Sequence, residues 1–357
     1  MAWSRLRNRI KGTLQIPGVL IRATGRYHGN FSGVLPRLFR ALQRRYMPVE
    51  AFHEGLLDPG LSPGEFDRNV SRSVLVGIQK RWNPESWDPL LADKTIFYRF
   101  CSAAGIPIPK VLGLFFKSSP GWSHTGRLLL EREDWESFFE KDCTPEFVIK
   151  PDRGFYGSGI RIYTREGPSF VATSGARCTA GSLVDSMSQE RRYGAFVVQE
   201  RVRNHPDLMK LSGTDGLQTV RFITSIGKEG ECRIVYAYLK TIVGSNISDN
   251  IVHGTSGNLM VEVSLEPGIL TQVVGTGFRK LLSHPSTGIP FRGFSLPFWE
   301  EACRLVRATA VKFVPVGTIG WDVGITALGP VIIEGNIWYD PPSPPDMHRF
   351  IAGLNPA

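Results

Sequence analysis

Two carboxylates near the C-terminus have residue types and a spacing that suit metal chemistry. The stretch GWDVGITALGPVIIEGN contains two β-rich runs, Thr318–Thr326 and Pro330–Glu334, joined by a short turn. If residues 327–329 form a three-residue hairpin loop with Gly329 in the left-handed position, Asp322 and Glu334 face each other at a Cβ separation of about 5 Å.

Asn336 adds a third oxygen donor to this pair. It follows Glu334 by two residues and so lies on the same face if the strand continues. Two facing carboxylates among Trp, Val and Ile need a cation or a shared proton. Oxygen ligands suit Mg²⁺, which keeps waters and substrate phosphates in its shell. The sequence therefore predicts a metal site at Asp322, Glu334 and Asn336; the alternative is an edge hairpin with solvated acids.

A glycine-rich loop in FVIKPDRGFYGSGIRIY is the second candidate. It contains no Gly-Lys-Ser/Thr, and a strand rather than a helix follows it, so it matches neither a P-loop nor a dinucleotide fingerprint. The backbone N–H groups of such a loop can cover phosphates, with the preceding lysine as counter-charge. The alternative is a purely structural hairpin. The predicted nucleotide-binding residues here are Lys150, Gly154, Gly157, Ser158 and Gly159.

Downstream strands carry further polar residues. FVVQERV ends in Gln199 and Glu200, where backbone groups can read adenine and a carboxylate can bind a ribose hydroxyl. Arg221 and Lys240 are cations within apolar strands. Each either points into solvent or has an anionic partner such as a triphosphate.

A Gly/Ser-rich stretch between two strands holds a third group of polar residues. They are Asp249, Asn250, His253 and Asn258. This stretch borders an acceptor pocket or is an ordinary polar loop. His284 in SHPSTG is a second candidate, with a structural role in a turn as its alternative. The predicted catalytic residues are Arg221, Lys240, Asn250, His253 and Asn258.

The elements around these residues indicate an α+β class with largely antiparallel sheets. Asp93–Ala104 reads as a helix that Gly105 ends, and Leu217–Ile226 with Cys232–Val243 as a long hairpin. Most strands in the second half are joined by turns. The predicted divisions are a basic helical segment (1–50), an N-terminal region (51–116), a small lid subdomain (117–200) and a large subdomain with the metal site (201–357).

Composition limits the classes of protein. Five dispersed cysteines without a CxxC pair indicate a reducing compartment, hence a cytoplasmic location, and no apolar run approaches the ~18 residues of a membrane span. The net charge of +9 arises from residues 1–49, which hold ten Lys/Arg and no Asp or Glu. No nucleic-acid-binding motif accompanies that charge.

The basic segment also shows helical periodicity. Trp3, Leu6, Ile10 and Leu14 recur every three or four residues, so Met1–Ile16 can form a basic amphipathic helix that contacts an anionic membrane, on the inner face. A transit peptide and a helix packed on its own domain are the alternatives.

Together these motifs resemble the ATP-grasp superfamily of carboxylate–amine ligases. The resemblance begins at LLADKTIFYRFCSAAGIPIPKV, continues through FVIKP, FVVQE, TVRF and the D…E-x-N set, and covers roughly residues 90–340. DNIVHGTSGNLMVEVSLEPGIL, HPSTGIPF and GPVIIEGN look most like the sugar-transfer associated ATP-grasp branch. The resemblance implies that two α+β subdomains clamp ATP, with Lys94 and Lys150 on phosphates, Glu200 on the ribose, and two Mg²⁺ ions at the metal set.

The implied reaction is amide formation through an acyl phosphate, with a small-molecule or glycan carboxylate and an amine as substrates, in glycan or cell-surface polymer modification. Two departures from relatives limit the transfer of roles. Gly320 stands where several ligases have an arginine, and residues 1–90 lack the usual βαβ pattern. The alternatives are a phosphotransferase on the same scaffold and a non-catalytic module that binds nucleotide or a glycan assembly.

Overall fold

The computed structural model describes residues 15–27, 31–154, 157–251, 256–274, 281–340, 342 and 347–354. His253 and most of the predicted basic helix over residues 1–16 lie outside these ranges.

Helices dominate the first hundred residues and strands dominate the remainder. The helices are α1 (residues 15–26), α2 (Phe31–Gln43), α3 (Pro48–His53), α4 (Pro63–Asp67), α5 (Arg72–Trp82), α6 (Asp88–Ala92), α7 (Lys94–Ala103), α8 (Arg132–Ser137), α9 (Ala180–Ser188), α10 (Pro206–Ser212), α11 (Trp299–Val311) and α12 (Met347–Leu354). The strands are β1 (Val111–Phe116), β2 (Gly121–Ser123), β3 (Leu128–Leu129), β4 (Glu146–Pro151), β5 (Arg161–Glu166), β6 (Ser169–Ala172), β7 (Arg177–Cys178), β8 (Ala195–Glu200), β9 (Thr219–Ile226), β10 (Cys232–Thr241), β11 (Leu259–Val263), β12 (Leu270–Val274), β13 (Thr318–Thr326) and β14 (Gly329–Asn336).

Helices α1 to α4 surround a small core of their own. Val34 and Leu38 of α2 pack there with Phe66 of α4. The start of α4 is fixed by a capping box, in which Ser62 and Glu65 satisfy each other's backbone N–H groups. This part of the chain is the helical N-terminal region that the sequence predicts.

The first sheet has eight strands in the order β3-β2-β1-β8-β4-β5-β6-β7, and every neighbouring pair is antiparallel. Strand β1 pairs with β8 in this sheet, although the predicted division at residue 116 places β1 in the preceding region. Aromatic side chains fill the core beneath it, and Phe147 of β4 stacks on Tyr163 of β5 at 5.6 Å.

The second sheet has six strands in the order β12-β11-β10-β9-β13-β14, again all antiparallel. Helix α11 covers one face, where Trp299 stacks on Phe222 of β9 with ring centroids 5.1 Å apart. The predicted α+β class with two largely antiparallel sheets is confirmed. Within the described residues, no helix has both the length and the apolarity needed to span a bilayer.

Candidate functional site

A cavity of about 410 Å³ lies between the two sheets, and side chains from both of them line it. Helix α7 closes one side with Lys94, and the glycine loop after β4 covers another. The structure therefore brings most of the predicted site residues into one place. Those that line the cavity are Lys94, Lys150, Gly154, Gly157, Ser158, Glu200, Arg221, Lys240, Asn250, Asp322, Glu334 and Asn336.

Asp322 and Glu334 face each other as predicted, but the three-residue loop that was expected to align them is absent from this hairpin. Gly329 belongs to β14 and pairs with Thr326, so the turn has two residues rather than three. The register then shifts between Asp322 and Val323 and leaves Ile333 as the extra residue of a β-bulge. Without that bulge Asp322 would face Ile333, and Glu334 would point to the opposite face of the sheet.

Tyr98 of α7 holds the bulge in place. Its hydroxyl donates a hydrogen bond of 2.6 Å to the Ile333 carbonyl. Burial raises the pKa of Tyr98 well above its usual value, so the hydroxyl keeps the proton that it donates. Sequence reasoning missed Tyr98, although its position four residues after Lys94 places both side chains on one face of α7.

Two cations hold the Asp322 carboxylate. Arg221 Nε donates to Oδ1 at 2.5 Å and a second guanidinium nitrogen donates to Oδ2 at 3.0 Å, while Lys240 Nζ donates to Oδ2 at 3.1 Å. Burial alone would raise the pKa of Asp322, but Arg221 and Lys240 together hold it well below its usual range. The cations within these apolar strands thus have a buried anionic partner and do not point into solvent.

Gly320 explains why the guanidinium comes from the neighbouring strand. A Cβ atom at this position would lie 2.9 Å from Cβ of Tyr339, so no side chain fits there. Arg221 of β9 pairs directly across from Asp322 and places its guanidinium on the same carboxylate. The arginine that contacts the Asp322 carboxylate is therefore Arg221 of β9.

Asp249 extends the ionic cluster beyond the predicted residues. One oxygen accepts hydrogen bonds from the backbone N–H and the hydroxyl of Thr219 at 2.8 and 2.6 Å, and lies 3.5 Å from Lys240 Nζ. Burial raises the pKa of Asp249, and Lys240 offsets part of that rise. Lys240 therefore sits between two carboxylates, Asp249 and Asp322, which fix its ammonium group at the cavity wall.

The two predicted phosphate lysines occupy different environments. Lys94 Nζ lies 3.5 Å from Glu334 and donates to the Gly154 carbonyl of the glycine loop at 3.2 Å. Lys150 is buried, with Nζ 3.4 Å from the Tyr98 hydroxyl. Burial, together with the charge of Lys94, lowers the pKa of Lys150 to about 8. An anion in the cavity would favour the charged form of Lys150.

The glycine loop rests against the second sheet's side of the cavity. Gly157 has φ +70°, and a Cβ atom there would lie 2.2 Å from Nδ2 of Asn250. Only glycine allows both that conformation and that approach. Asn250 thus contacts the loop, and its amide donates to Ser248 at 2.9 Å.

The end of the cavity near β8 is mostly apolar. Glu200 stands at its edge, where one carboxylate oxygen accepts a hydrogen bond from the backbone N–H of Lys110 at 2.8 Å and so fixes the side chain. Such a slot, with one carboxylate at its rim, fits a planar heterocycle joined to a sugar. The apolar lining comes from Pro109, Val148, Ile160, Ile162, Leu217 and Ile333.

Among the residues that the structure describes, three predicted site residues do not line the cavity. Gln199 of β8 is fully buried, and Gly159 packs against Tyr193. Asn258 is buried too, and its amide bonds the backbone of Val243, Ser248 and Asn250. Asn258 therefore shapes the loop that carries Asn250.

His284 is a structural residue, in agreement with the turn alternative. Its Nε2 donates to the Ile242 carbonyl at 2.9 Å, and its Nδ1 accepts from the backbone N–H of Ser286 at 3.2 Å. Burial lowers the pKa of His284, so the ring stays neutral.

The oxygen donors on β13 and β14 fit Mg²⁺ better than a softer metal. Glu334 is about one-third exposed, and the Asn336 side chain lies 3.3 Å from it. Asp322 Oδ1 accepts one hydrogen bond, which leaves a lone pair. Among the described residues, no group of three or more His, Cys, Asp and Glu is placed to hold a metal, so other ligands would come from water and substrate.

Comparison with known proteins identifies one matching family. The model for sugar-transfer associated ATP-grasp proteins matches residues 76–347. A search of the curated proteins found no match.

Solved structures with some similarity include three synthetases or ligases. They are N5-carboxyaminoimidazole ribonucleotide synthetase in an ADP complex (13% identity, 78% of this chain, 53% of that one, TM-score 0.39), D-alanyl-alanine synthetase A from Vibrio cholerae (10%, 74%, 60%, 0.40) and VanG D-Ala:D-Ser ligase from Enterococcus faecalis (15%, 74%, 60%, 0.38). The aligned region spans 53–60% of the length of these structures. The assignment of the chain therefore rests on the family match.

Proposed function

The chain belongs to the sugar-transfer associated ATP-grasp family, and on that premise we propose that it is an ATP-dependent ligase that joins a carboxylate to an amine through an acyl phosphate. The family description supports a carboxylate on a sugar or a cell-surface glycan as the substrate. The nucleotide is MgATP, bound between the two sheets.

The arrangement of charge around Glu334 carries this proposal. The whole lining of the cavity holds seven basic and six acidic side chains, and four of these cations and three of these carboxylates form the cluster that includes Glu334. A site with this balance favours a polyanion that brings its own divalent cation. The cations are Lys94, Lys150, Arg221 and Lys240, and the carboxylates are Asp249, Asp322 and Glu334.

The nucleotide takes its orientation from the two ends of the cavity. The apolar slot near β8 would hold its base with Glu200 at the ribose, and the glycine loop with Lys94 and Lys150 would hold its phosphates. Glu334, Asn336 and Asp322 would hold Mg²⁺, which would supply positive charge next to the phosphates. Lys150 is buried at the base of the loop, so its charge acts there with little screening by water.

The residues of the cavity act mainly by positioning and by charge stabilisation. In the first step, an oxygen of the substrate carboxylate forms a bond to the γ-phosphorus, and the bond to the β–γ bridging oxygen breaks with its electrons leaving on ADP. Arg221 and Lys240, fixed by Asp322 and Asp249, face the transferring group. The amine then attacks the acyl carbon, the bond to phosphate breaks, and the nitrogen loses a proton.

A hydroxylamine trap tests this function directly. The protein is incubated with MgATP, hydroxylamine and a panel of carboxylates that includes uronic acids, sialic acids and amino acids. A ligase of this class gives a hydroxamate and ADP in equal amounts with at least one carboxylate, because hydroxylamine intercepts the acyl phosphate. A stable phosphorylated product without hydroxamate would identify a phosphotransferase, and tight MgATP binding without any turnover a binding module.

A further inference from the structure

Exposed apolar side chains are concentrated on one face of α2. Six of the fourteen large hydrophobic residues that are exposed among the described residues lie between Ile21 and Met47. Four of them follow a helical spacing on α2 and are between 38% and 63% exposed. They are Phe31, Leu35, Phe39 and Leu42, which we call the α2 stripe.

The α2 stripe is separate from the face by which α2 joins its own core. Val34, Leu38 and Ala41 are buried in the small N-terminal core, and they account for the packing of the helix. The stripe residues stand at i, i+4, i+8 and i+11, so they are neighbours along one side of the helix. A continuous apolar surface of this kind on a folded domain marks a surface for interaction.

The charge around the stripe specifies the partner. Residues 1–49 hold ten basic and no acidic residues. Arg22 and Arg26 are exposed on α1, whose apolar residues share a core with α2, and Arg45 is exposed just beyond the stripe, next to Arg44, which pairs with Asp67 at 3.1 Å. Apolar side chains flanked by arginines match the interface of an anionic bilayer, where the apolar groups enter the acyl region and the cations meet the headgroups.

A second copy of the chain is a poorer fit. A two-fold symmetric contact through the stripe would place the same arginine-rich segment of each copy beside the other. Like charges would then oppose the contact that the apolar residues favour. The observations thus favour a lipid surface over self-association.

We propose that the α2 stripe is a membrane-contact surface that binds anionic phospholipid. It acts as a peripheral contact formed by the helical N-terminal region. The proposal does not depend on the reaction that the cavity catalyses.

Vesicle sedimentation with the full chain tests the proposal. The probes are extruded vesicles of phosphatidylcholine alone and of equal parts phosphatidylcholine and phosphatidylglycerol. The wild type partitions onto the anionic vesicles, and the double variant Leu35→Ser, Phe39→Ser lowers its partition coefficient by about tenfold or more. The matched control is Leu128→Ser, Leu130→Ser, which removes two leucines that are 58% and 61% exposed on the first-sheet side and leaves partitioning unchanged.

A second variant tests the charge. Arg22→Gln with Arg26→Gln reduces partitioning onto the anionic vesicles and leaves the α2 stripe in place. Wild-type protein that stays in the supernatant, equal partitioning onto both lipids, or an unchanged Leu35→Ser, Phe39→Ser variant would each overturn the proposal. Sedimentation velocity tests for self-association. A wild-type dimer that the Leu35→Ser, Phe39→Ser variant does not form would assign the stripe to a contact between copies of the chain and overturn the proposal.

Discussion

Glu334 faces Asp322 across the β13–β14 hairpin because Ile333 is bulged out of the strand pairing. The bulge reverses the face on which Glu334 would otherwise lie, and it brings a carboxylate to the wall of the cavity. Lys94 lies 3.5 Å from Glu334, so the same residue also meets the first phosphate lysine. The proposed metal site and the proposed phosphate site are thus joined at one side chain.

Glu334→Gln tests that junction. The substitution keeps the size of the side chain and removes the charge that would bind Mg²⁺, so we expect MgATP-dependent ADP release to fall by about a hundredfold or more. The loss should be visible in a coupled ADP assay with a carboxylate that the hydroxamate screen has identified. Glu166→Gln is the matched control, because Glu166 pairs with Arg177 on the exposed surface; a Glu334→Gln variant as active as this control would remove Glu334 from the site.

Asp322→Ala should damage the fold as well as the site. It would leave Arg221 and Lys240 buried without their shared anion, which costs about 3–5 kcal/mol. Urea unfolding of the variant measures the loss. Asp142→Ala, which breaks the partly exposed pair with Arg127, should cost about 0–1 kcal/mol. Equal midpoints for the two variants would show that the Asp322 cluster does not stabilise the fold.

The sequence predicts the pairing of Asp322 with Glu334 correctly, but it does so from a three-residue loop. The hairpin instead has a two-residue turn and a bulge, which together give the same pairing. Hydrophobic alternation predicts strands and their approximate bounds. It does not disclose a single extra residue, since a bulge changes the register without changing composition.

The same limit explains why Tyr98 was missed and why the role of Asp249 stayed open. Tyr98 contacts Lys150, 52 positions along the chain, and Asp249 contacts Thr219 of β9 and Lys240 of β10. Asn258 had the polar character of a site residue, but tertiary packing directs its amide into the loop backbone. Residue type and order predict the chemistry of the site, whereas the folded structure decides which polar groups reach it.

Lys150 predicts a pH dependence of nucleotide binding. Its pKa in the free protein is about 8, below the usual value for lysine, because it is buried next to another cation. Triphosphate in the cavity would raise the pKa, so binding takes up a proton near that pH, and affinity falls as the pH rises above about 8.

Calorimetry in buffers of different ionisation enthalpy measures the proton uptake. We expect the uptake at pH 8 to disappear in Lys150→Met, whereas Lys228→Met in the exposed β9–β10 turn retains it. Proton release on binding, or equal uptake in the Lys150→Met protein, would argue against Lys150 as the phosphate lysine.

Gly157→Ala tests the contact between the glycine loop and Asn250. The new Cβ atom would lie 2.2 Å from the Asn250 amide, so the loop cannot keep its position over the cavity. We expect a weaker affinity for MgATP than in the wild type. Gly167→Ala is a matched control, since Gly167 also has a positive φ but has no atom within 4 Å of its Cβ position.

Gly157→Ala with Asn250→Ala should recover part of the affinity, because the second substitution removes the clash and leaves only the backbone strain. Equal affinities for Gly157→Ala and Gly167→Ala, measured by titration with a fluorescent ATP analogue, would show that the Asn250 contact has no part in nucleotide binding.

The central claim is that the cavity between the two sheets binds MgATP with Lys150 beneath its phosphates, and equilibrium calorimetry of the full chain tests it most directly. The account predicts one Mg²⁺-dependent site in the wild type and a loss of affinity of at least about tenfold in Lys150→Met. Because burial already disfavours the charged form of Lys150, its replacement by methionine should not unfold the protein. A wild type that binds no MgATP, or a Lys150→Met protein that binds it as tightly as Lys228→Met does, would contradict the account.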